Sequence, residues 1–348
     1  MILIPQNNNS KILPMNKPII STYSTEANML AVFASDEQAM AWFFENYFQV
    51  FTNGRFEFSS YIDFWAALPW HSCPFFETYE YDLNFDFDFD VLDVFINAIN
   101  DGFYVFLPLN QAYIEGAGFY GDSDRVHETF VYGYDLAKKI FYIADFFDQG
   151  YSFIEASFKE IKASYTGVRS LVNRNDALSN MILMKFKKNE KYIFDLNNYK
   201  KNINDYLLSK PTIDPLLTYR QYYFDHAKEH IFGMSVYDFL ISLINKIYYA
   251  DIPVIRKNID FRGFHMMYEH KNLTLYALRY MIHQKYLCEE SSFLDICTHM
   301  IDETLILRNL TLKFNQSKNE KYFRKMSDKI LALKKADKDF TRSLLEYL

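Results

Sequence analysis

The chain has 348 residues, of which half are apolar and 19% aromatic, and it carries a formal net charge of −7 and only ten glycines. The acidic balance disfavours a general nucleic-acid binder, and the lack of a glycine-rich phosphate-binding motif disfavours dinucleotide and P-loop folds. No apolar run reaches the roughly 18 residues of a membrane span, the start of the chain lacks a signal-peptide pattern, and three cysteines make no disulfide framework. We therefore expect a cytoplasmic protein of about two domains that binds neither membranes nor nucleic acid.

The first 200 residues mix helical and strand patterns. Apolar residues spaced three and four apart predict helices, whereas short runs rich in aromatic and β-branched residues predict strands. We predict helices at 24–51 and 90–101, strands at 103–109, 128–135 and 138–147, and a hairpin at 181–196.

After Pro211 the helical period dominates. We predict five helices there, at 215–231, 234–249, 262–287, 291–315 and 317–346. A mixed first half and a helical second half indicate an α+β protein. We place its two domains at residues 1–205 and 206–348.

Three residues of the first half occur in the order of a nucleophile, a base and an orienting acid. Ser24 begins a predicted helix, His127 begins a strand, and Asp145 ends the next strand. A helix N-terminus stabilises the anion that a nucleophile must become. A histidine can take the proton while an aspartate holds its tautomer. By composition alone the pattern is weak, because Ser24 is more often a helix N-cap and Asp145 a strand-end residue.

The segment RVHETFVYGYDLAKKIFYIADFF, residues 125–147, resembles a signature of papain-like acyltransferases typified by the butirosin-pathway acyltransferase. That signature is H-x-x-x-V-x-G-Y-D followed by F-x-I-x-D, and looser similarity continues at 234–240 and 259–271. The resemblance implies a papain-like domain followed by an all-α domain. It also implies catalytic roles: position 24 accepts the acyl group, His127 is the general base and later the acid, and Asp145 orients the imidazole.

The function implied by this resemblance is amide formation in the biosynthesis of specialised metabolites such as nonribosomal peptide antibiotics. An acyl group moves from a carrier-protein thioester to the enzyme and then to an amine. An aromatic polyamide is the expected acyl group and a diamine the expected acceptor. No metal or redox cofactor is implied, and the phosphopantetheine arm belongs to the carrier protein. The alternatives are a papain-like peptidase or thioester hydrolase, and a homologue that only binds.

The sequence departs from the family at position 24, where the family has cysteine and this chain has Ser24. The serine either replaces a native cysteine, acts as a nucleophile itself, or marks a non-catalytic homologue. The surrounding pattern favours the first, so Ser24→Cys is expected to accelerate amide formation by several orders of magnitude. The glutamine that papain-like enzymes use in the oxyanion hole is also missing, since Pro18 occupies that position. The backbone N–H of Ser24 remains a candidate donor.

Other chemistry-bearing residues have plainer interpretations. Cys73 is a rival nucleophile beside His71, but a free cysteine is more often a buried apolar residue. Cys288 and Cys297 are predicted in the core on helix faces. His226-x-x-Glu229-His230 matches a short zinc-binding pattern, for which an exposed helix face is the commoner explanation.

Two charged stretches complete the candidates. Asp86, Asp88 and Asp90 alternate with phenylalanines, which indicates a half-exposed strand more strongly than a cation site. Residues 311–348 carry ten Lys or Arg against five Asp or Glu. This basic stretch is an amphipathic surface helix that could dock an acidic carrier protein, because complementary charge steers association.

Overall fold

The structure is a computed structural model of the chain. It describes residues 9–53, 60–66, 69–82, 90–122, 124–148, 150–169, 171, 180–212, 230–249, 258–288 and 292–348.

The described residues form a mixed α+β protein. Its strands are β1 Ser10–Ile12, β2 Val50–Thr52, β3 Asp63–Phe64, β4 Phe76–Asp82, β5 Tyr104–Asn110, β6 Val126–Asp135, β7 Ile140–Phe147, β8 Gly150–Ser157, β9 Asn180–Phe186 and β10 Ile231–Phe232. Its helices are α1 Ser24–Phe33, α2 Glu37–Asn46, α3 Pro69–Ser72, α4 Val91–Asn100, α5 Phe158–Arg169, α6 Leu196–Leu207, α7 Ser235–Tyr249, α8 Arg262–His283, α9 Phe293–Ser317 and α10 Lys321–Tyr347.

The chain divides into two compact units, each built from two segments. The first unit contains Met1–Ala39 and Leu68–Lys191, and the second contains Met40–Ala67 and Tyr192–Leu348. The second unit therefore includes residues 40–67 from the first part of the sequence. The functional domains at 1–205 and 206–348 stay a prediction, because compactness alone does not delimit a functional domain.

The first unit is built on an antiparallel sheet with the strand order β4-β9-β5-β6-β7-β8. The central strand β5 is buried along its whole length, as its continuous apolar run predicts. Strand β1 pairs with the far end of β6, beyond the part of β6 that β5 covers. Gly133 permits this pairing, because a Cβ there would lie 2.9 Å from the carbonyl oxygen of Lys11.

Helix α1 begins at the predicted residue and contacts β6 and β7. Nine of its ten residues are buried, which is the pattern of a helix covered on all sides. The predicted helix over 24–51 is wrong in its extent, because the helix ends at Phe33 and a second one follows. Asp36 explains the break: its carboxylate accepts hydrogen bonds from the backbone N–H groups of Gln38 and Ala39 and so caps α2.

The predicted strands at 103–109, 128–135 and 138–147 and the helix at 90–101 are confirmed as β5, β6, β7 and α4. The hairpin predicted at 181–196 is wrong. Only its first half is a strand, β9, and that strand pairs with the distant β4 and β5. The residues after it turn and enter α6, whose N-cap is Asp195.

The second unit is mainly helical. Helices α7, α8, α9 and α10 confirm the predicted segments from residue 234 onward, whereas most of the segment predicted at 215–231 lies outside the described residues. The region predicted as all-helical, 206–348, is helical in its described part except for the two-residue strand β10. That strand pairs with β2, which also pairs with β3 in a small sheet. No helix within the described ranges is long and apolar enough to cross a membrane.

Candidate active site

The candidate site is organised around Asp145, whose side chain is fully buried near the end of β7. Four donors surround its carboxylate: Nδ1 of His127 at 2.5 Å, Nε2 of Gln111 at 2.9 Å, Oγ1 of Thr129 at 2.7 Å and the backbone N–H of Phe146 at 2.6 Å. A buried carboxylate is stable only when hydrogen bonds replace its lost hydration. Asp145 is therefore fixed in position.

The sheet register brings the members of this cluster together. Phe130 on β6 lies opposite Ala144 on β7. Side chains alternate along a strand, so Thr129 and Asp145 share the other face of the sheet. His127 is two residues before Thr129 and lies on that face as well. The structure thus brings together two of the three residues predicted from the sequence, His127 and Asp145.

His127 connects this buried cluster to the surface. Its side chain is 32% exposed, whereas that of Asp145 is 0% exposed. Burial lowers the pKa of His127, but the hydrogen bond and charge of Asp145, with a smaller contribution from Glu128, raise it above the ordinary value overall. Because Nδ1 is engaged by Asp145, Nε2 is the nitrogen left to exchange a proton with a substrate.

Ser24 is the first residue of α1, and its side chain is buried. Its hydroxyl donates a hydrogen bond to Oε2 of Glu128 at 2.7 Å. Glu128 directly follows His127 on β6, so the two side chains leave the strand on opposite sides. Among the residues that the structure describes, no hydrogen bond joins Ser24 to His127. The structure therefore places Ser24, the third predicted residue, beside Glu128, the residue that follows His127 in the chain.

Three residues that hydrogen-bond to Ser24 or Asp145 through their side chains were not predicted from the sequence: Glu128, Gln111 and Thr129. The alternation within His127-Glu128-Thr129 could have placed Thr129 on the face of His127 and Glu128 on the other. Gln111 follows β5 in a short 3₁₀ turn, and no local pattern connects it with a strand end 34 residues later.

An amide group lies one helical turn after Ser24. Asn28 is buried, and its Oδ1 accepts a hydrogen bond from the hydroxyl of Tyr151 at 2.6 Å. Its Nδ2 has no hydrogen-bond partner within the described part of the chain. Buried amide donors are normally paired, so this N–H₂ group is available to another acceptor.

Aromatic side chains form a row that starts beside His127 and crosses β6, β7 and β8. Neighbouring ring centroids lie 5.4–6.2 Å apart, the spacing of favourable aromatic pairs. Phe153 in this row is 39% exposed. In order, the row contains His127, Phe146, Tyr151, Phe153, Tyr132 and Tyr142.

The rival nucleophile Cys73 is buried, and burial raises the pKa of its thiol to about 12. A thiol with that pKa is protonated at neutral pH and is a poor nucleophile. Cys297 is also buried, and burial raises its pKa to about 12. Cys288 is exposed and follows the end of α8, so the predicted core position is wrong for that residue.

The two possible cation sites lie largely outside the described residues, which exclude His226, Glu229, Asp86 and Asp88. Asp90 is described and caps α4 by accepting a hydrogen bond from the N–H of Leu92. Within the described ranges no three His, Cys, Asp or Glu side chains are grouped so that they could hold a metal ion.

The chain matches no protein-family model, and no curated protein matches it either. The geometry around Asp145, His127 and Ser24 therefore carries the functional argument.

Proposed function

We propose that this chain is an amide-forming acyltransferase with a papain-like catalytic domain. The observation that carries the proposal is the half-buried His127, which is held by the buried Asp145 and lies on β6 next to the partner of Ser24. An imidazole with one nitrogen fixed and the other accessible is the usual acid–base group of acyl transfer. A hydroxyl at the first residue of a helix is a suitable acyl acceptor.

In this proposal, position 24 attacks the thioester carbonyl and holds the acyl group as an ester. His127 transfers protons, and Asp145 keeps its ring oriented. The developing oxyanion needs hydrogen-bond donors. The backbone N–H of Ser24 and Nδ2 of Asn28 are the candidates. In this proposal Asn28 supplies the side-chain amide that is missing at Pro18, the position of the family's glutamine.

The acyl donor in this proposal is a carrier-protein thioester, and the acceptor is an amine. The aromatic row beside His127 supports an aromatic acyl group, because partly exposed rings pack favourably on other rings. The proposed reaction is redox-neutral and uses a side-chain nucleophile, so it needs no metal or redox cofactor. The phosphopantetheine arm belongs to the carrier protein.

For the carrier protein we propose the basic face of α10 as the docking surface. Lys334, Lys335 and Lys338 lie at its centre. Lys334 pairs with Asp238 and Lys335 with Asp339, and such exposed pairs exchange partners readily because each contributes little free energy. Reversing the charge of the three lysines should slow association with the carrier protein at low salt.

Product analysis tests the proposed reaction. The chain is incubated with an aromatic acyl thioester, with and without a diamine, and the products are separated by chromatography. We expect the amide when the diamine is present and little free acid. Free acid at the same rate in both samples would identify a thioester hydrolase, and unchanged thioester in both would identify a protein that only binds.

A further inference from the structure

The hydroxyl of Ser24 is held by a carboxylate. Its hydrogen bond to Oε2 of Glu128 is 2.7 Å long, a normal length for a strong O–H···O⁻ bond. This arrangement suits an alcohol, because the carboxylate accepts the proton that the alcohol must lose. It does not suit a cysteine, because a negative charge at this distance disfavours the thiolate.

Two consecutive residues at the start of β6, His127 and Glu128, thus present two different acid–base groups, close enough for the charge of Glu128 to act on the imidazole. Glu128 contacts the nucleophile and has no positively charged partner of its own among the described ion pairs. His127 is paired with Asp145 through Nδ1. A carboxylate in contact with the nucleophile and an imidazole whose cation is favoured by a buried carboxylate suit separate base and acid roles, as in enzymes whose paired groups divide these roles.

We propose that Glu128 is the general base for Ser24 and that the His127–Asp145 pair supplies the acid. This inference rests on the proposed function, and it assigns Glu128 a catalytic role because its carboxylate touches the attacking oxygen. Ser24 is then a nucleophile in its own right and not a replacement for a cysteine.

The proton transfers balance over a complete cycle. In the first half, the Ser24 proton moves to Glu128, Oγ bonds to the acyl carbon, the C–S bond breaks, and the thiolate takes a proton from His127. In the second half, the amine bonds to the same carbon and gives a proton to the neutral His127. The C–Oγ bond breaks, and Glu128 returns its proton to Ser24. The products are an amide and a thiol, and both residues regain their starting states.

The charges around the imidazole support these roles. Asp145 and Glu128 favour the cationic form of His127, whereas burial and the nearby Arg125 oppose it, and the pKa of His127 is raised overall. β5 presents apolar Leu109 opposite His127. The reaction should therefore slow as pH rises through this pKa, because the acid loses its proton. If His127 were instead the base, the rate would increase over the same pH range.

The experiment compares the parent chain with Glu128→Gln, Glu128→Ala and His127→Ala. The substrates are benzoyl-N-acetylcysteamine and 1,2-diaminoethane, and thermal unfolding verifies that each variant is folded. We expect Glu128→Gln to lower kcat/KM by about 10²–10³-fold, although glutamine preserves the size of the side chain. Added formate should restore part of the activity of Glu128→Ala and none of the activity of His127→Ala.

The Ser24→Cys variant gives an independent test of the role of Glu128. We expect Ser24→Cys to gain less than about tenfold, and Ser24→Cys combined with Glu128→Gln to be faster than Ser24→Cys alone, because the opposing charge is gone. Glu128→Gln within threefold of the parent, or a gain of several orders of magnitude in Ser24→Cys alone, would overturn the role of Glu128 and leave the acyl-transfer function standing. A parent chain that forms neither amide nor a Ser24 adduct would overturn both.

Discussion

Among the described residues, each compact unit contains one fully buried aspartate, and the partners of the two aspartates differ in their exposure to solvent. Asp145 in the first unit is bonded to His127, Gln111 and Thr129. Asp337 in the second unit lies on α10 and accepts hydrogen bonds from Lys271 at 2.6 Å, Tyr206 at 2.5 Å and Tyr237 at 2.9 Å.

The difference lies in exposure. The side chain of His127 is 32% exposed, whereas that of Lys271 is 2% exposed. Around Asp337, burial is the main cause that raises the pKa of Tyr206 and Tyr237 well above the ordinary value, so both stay protonated donors. Both carboxylates have hydrogen-bond donors, but of the two only Asp145 is paired with a side chain exposed enough to contact a substrate. The comparison favours the Asp145 cluster as the candidate site and the Asp337 cluster as a structural connection between helices.

The same substitution at each aspartate should separate these roles. We expect Asp145→Asn to lower the rate of amide formation by about 10²–10⁴-fold, because the imidazole loses the charge that orients it and favours its cation. Its free energy of unfolding should fall by only about 1–3 kcal/mol. Steady-state kinetics and urea unfolding of the same preparation measure both quantities. Full activity in Asp145→Asn would mean that the buried pair has no catalytic role.

Asp337→Asn should have the opposite profile. It leaves the ammonium of Lys271 buried without its counter-charge, which costs about 3–5 kcal/mol of unfolding free energy. Activity per folded molecule should be unchanged, because the described hydrogen bonds of Asp337 all come from residues of the second unit.

Two controls sharpen this second prediction. The double variant Lys271→Met with Asp337→Leu should recover most of the lost stability, since an apolar pair can replace a buried ion pair. Lys334→Met removes a lysine of the same helix from an exposed pair with Asp238 and should cost at most about 1 kcal/mol. Equal losses in Lys334→Met and Asp337→Asn would show that burial does not distinguish the two pairs.

The smallest expected effect is the pH dependence of stability at His127. Because the pKa of His127 is raised in the folded chain, its pairing with Asp145 contributes fully below about pH 6.5, the unfolded value. That contribution is lost as pH rises through the folded pKa. We expect the difference in unfolding free energy between the parent and His127→Gln to shrink by about 1 kcal/mol or less from pH 6 to pH 9. A difference that grows over this range would contradict the assigned pairing.

The sequence predicts elements well where the pattern is local and strong. The buried run of β5, the dense apolar strands β6 and β7, and the long periodic helices from residue 234 onward are all of this kind. The errors arise where contacts between residues far apart in the sequence determine the local structure. Strand β9 pairs with β4 and β5 across the chain, so its neighbouring residues gave a false hairpin.

The same limit applies to the candidate site. His127 and Asp145 lie at opposite ends of two consecutive strands, so a local hairpin brings them together. The partner of Ser24 depends instead on how α1 lies against β6, which no spacing in the sequence specifies. For that reason the contact between Ser24 and Glu128 is visible only in the structure. In our proposal this contact explains why position 24 is a serine.

The most direct test of this account is to trap the acyl-enzyme. The chain is treated with benzoyl-N-acetylcysteamine without an amine, and the modified residue is located by peptide mass spectrometry. We predict one benzoyl group on the peptide that contains Ser24, lost on addition of 1,2-diaminoethane and absent in Ser24→Ala. A chain that forms the amide with no adduct at Ser24, or with the adduct on another residue, would contradict the account.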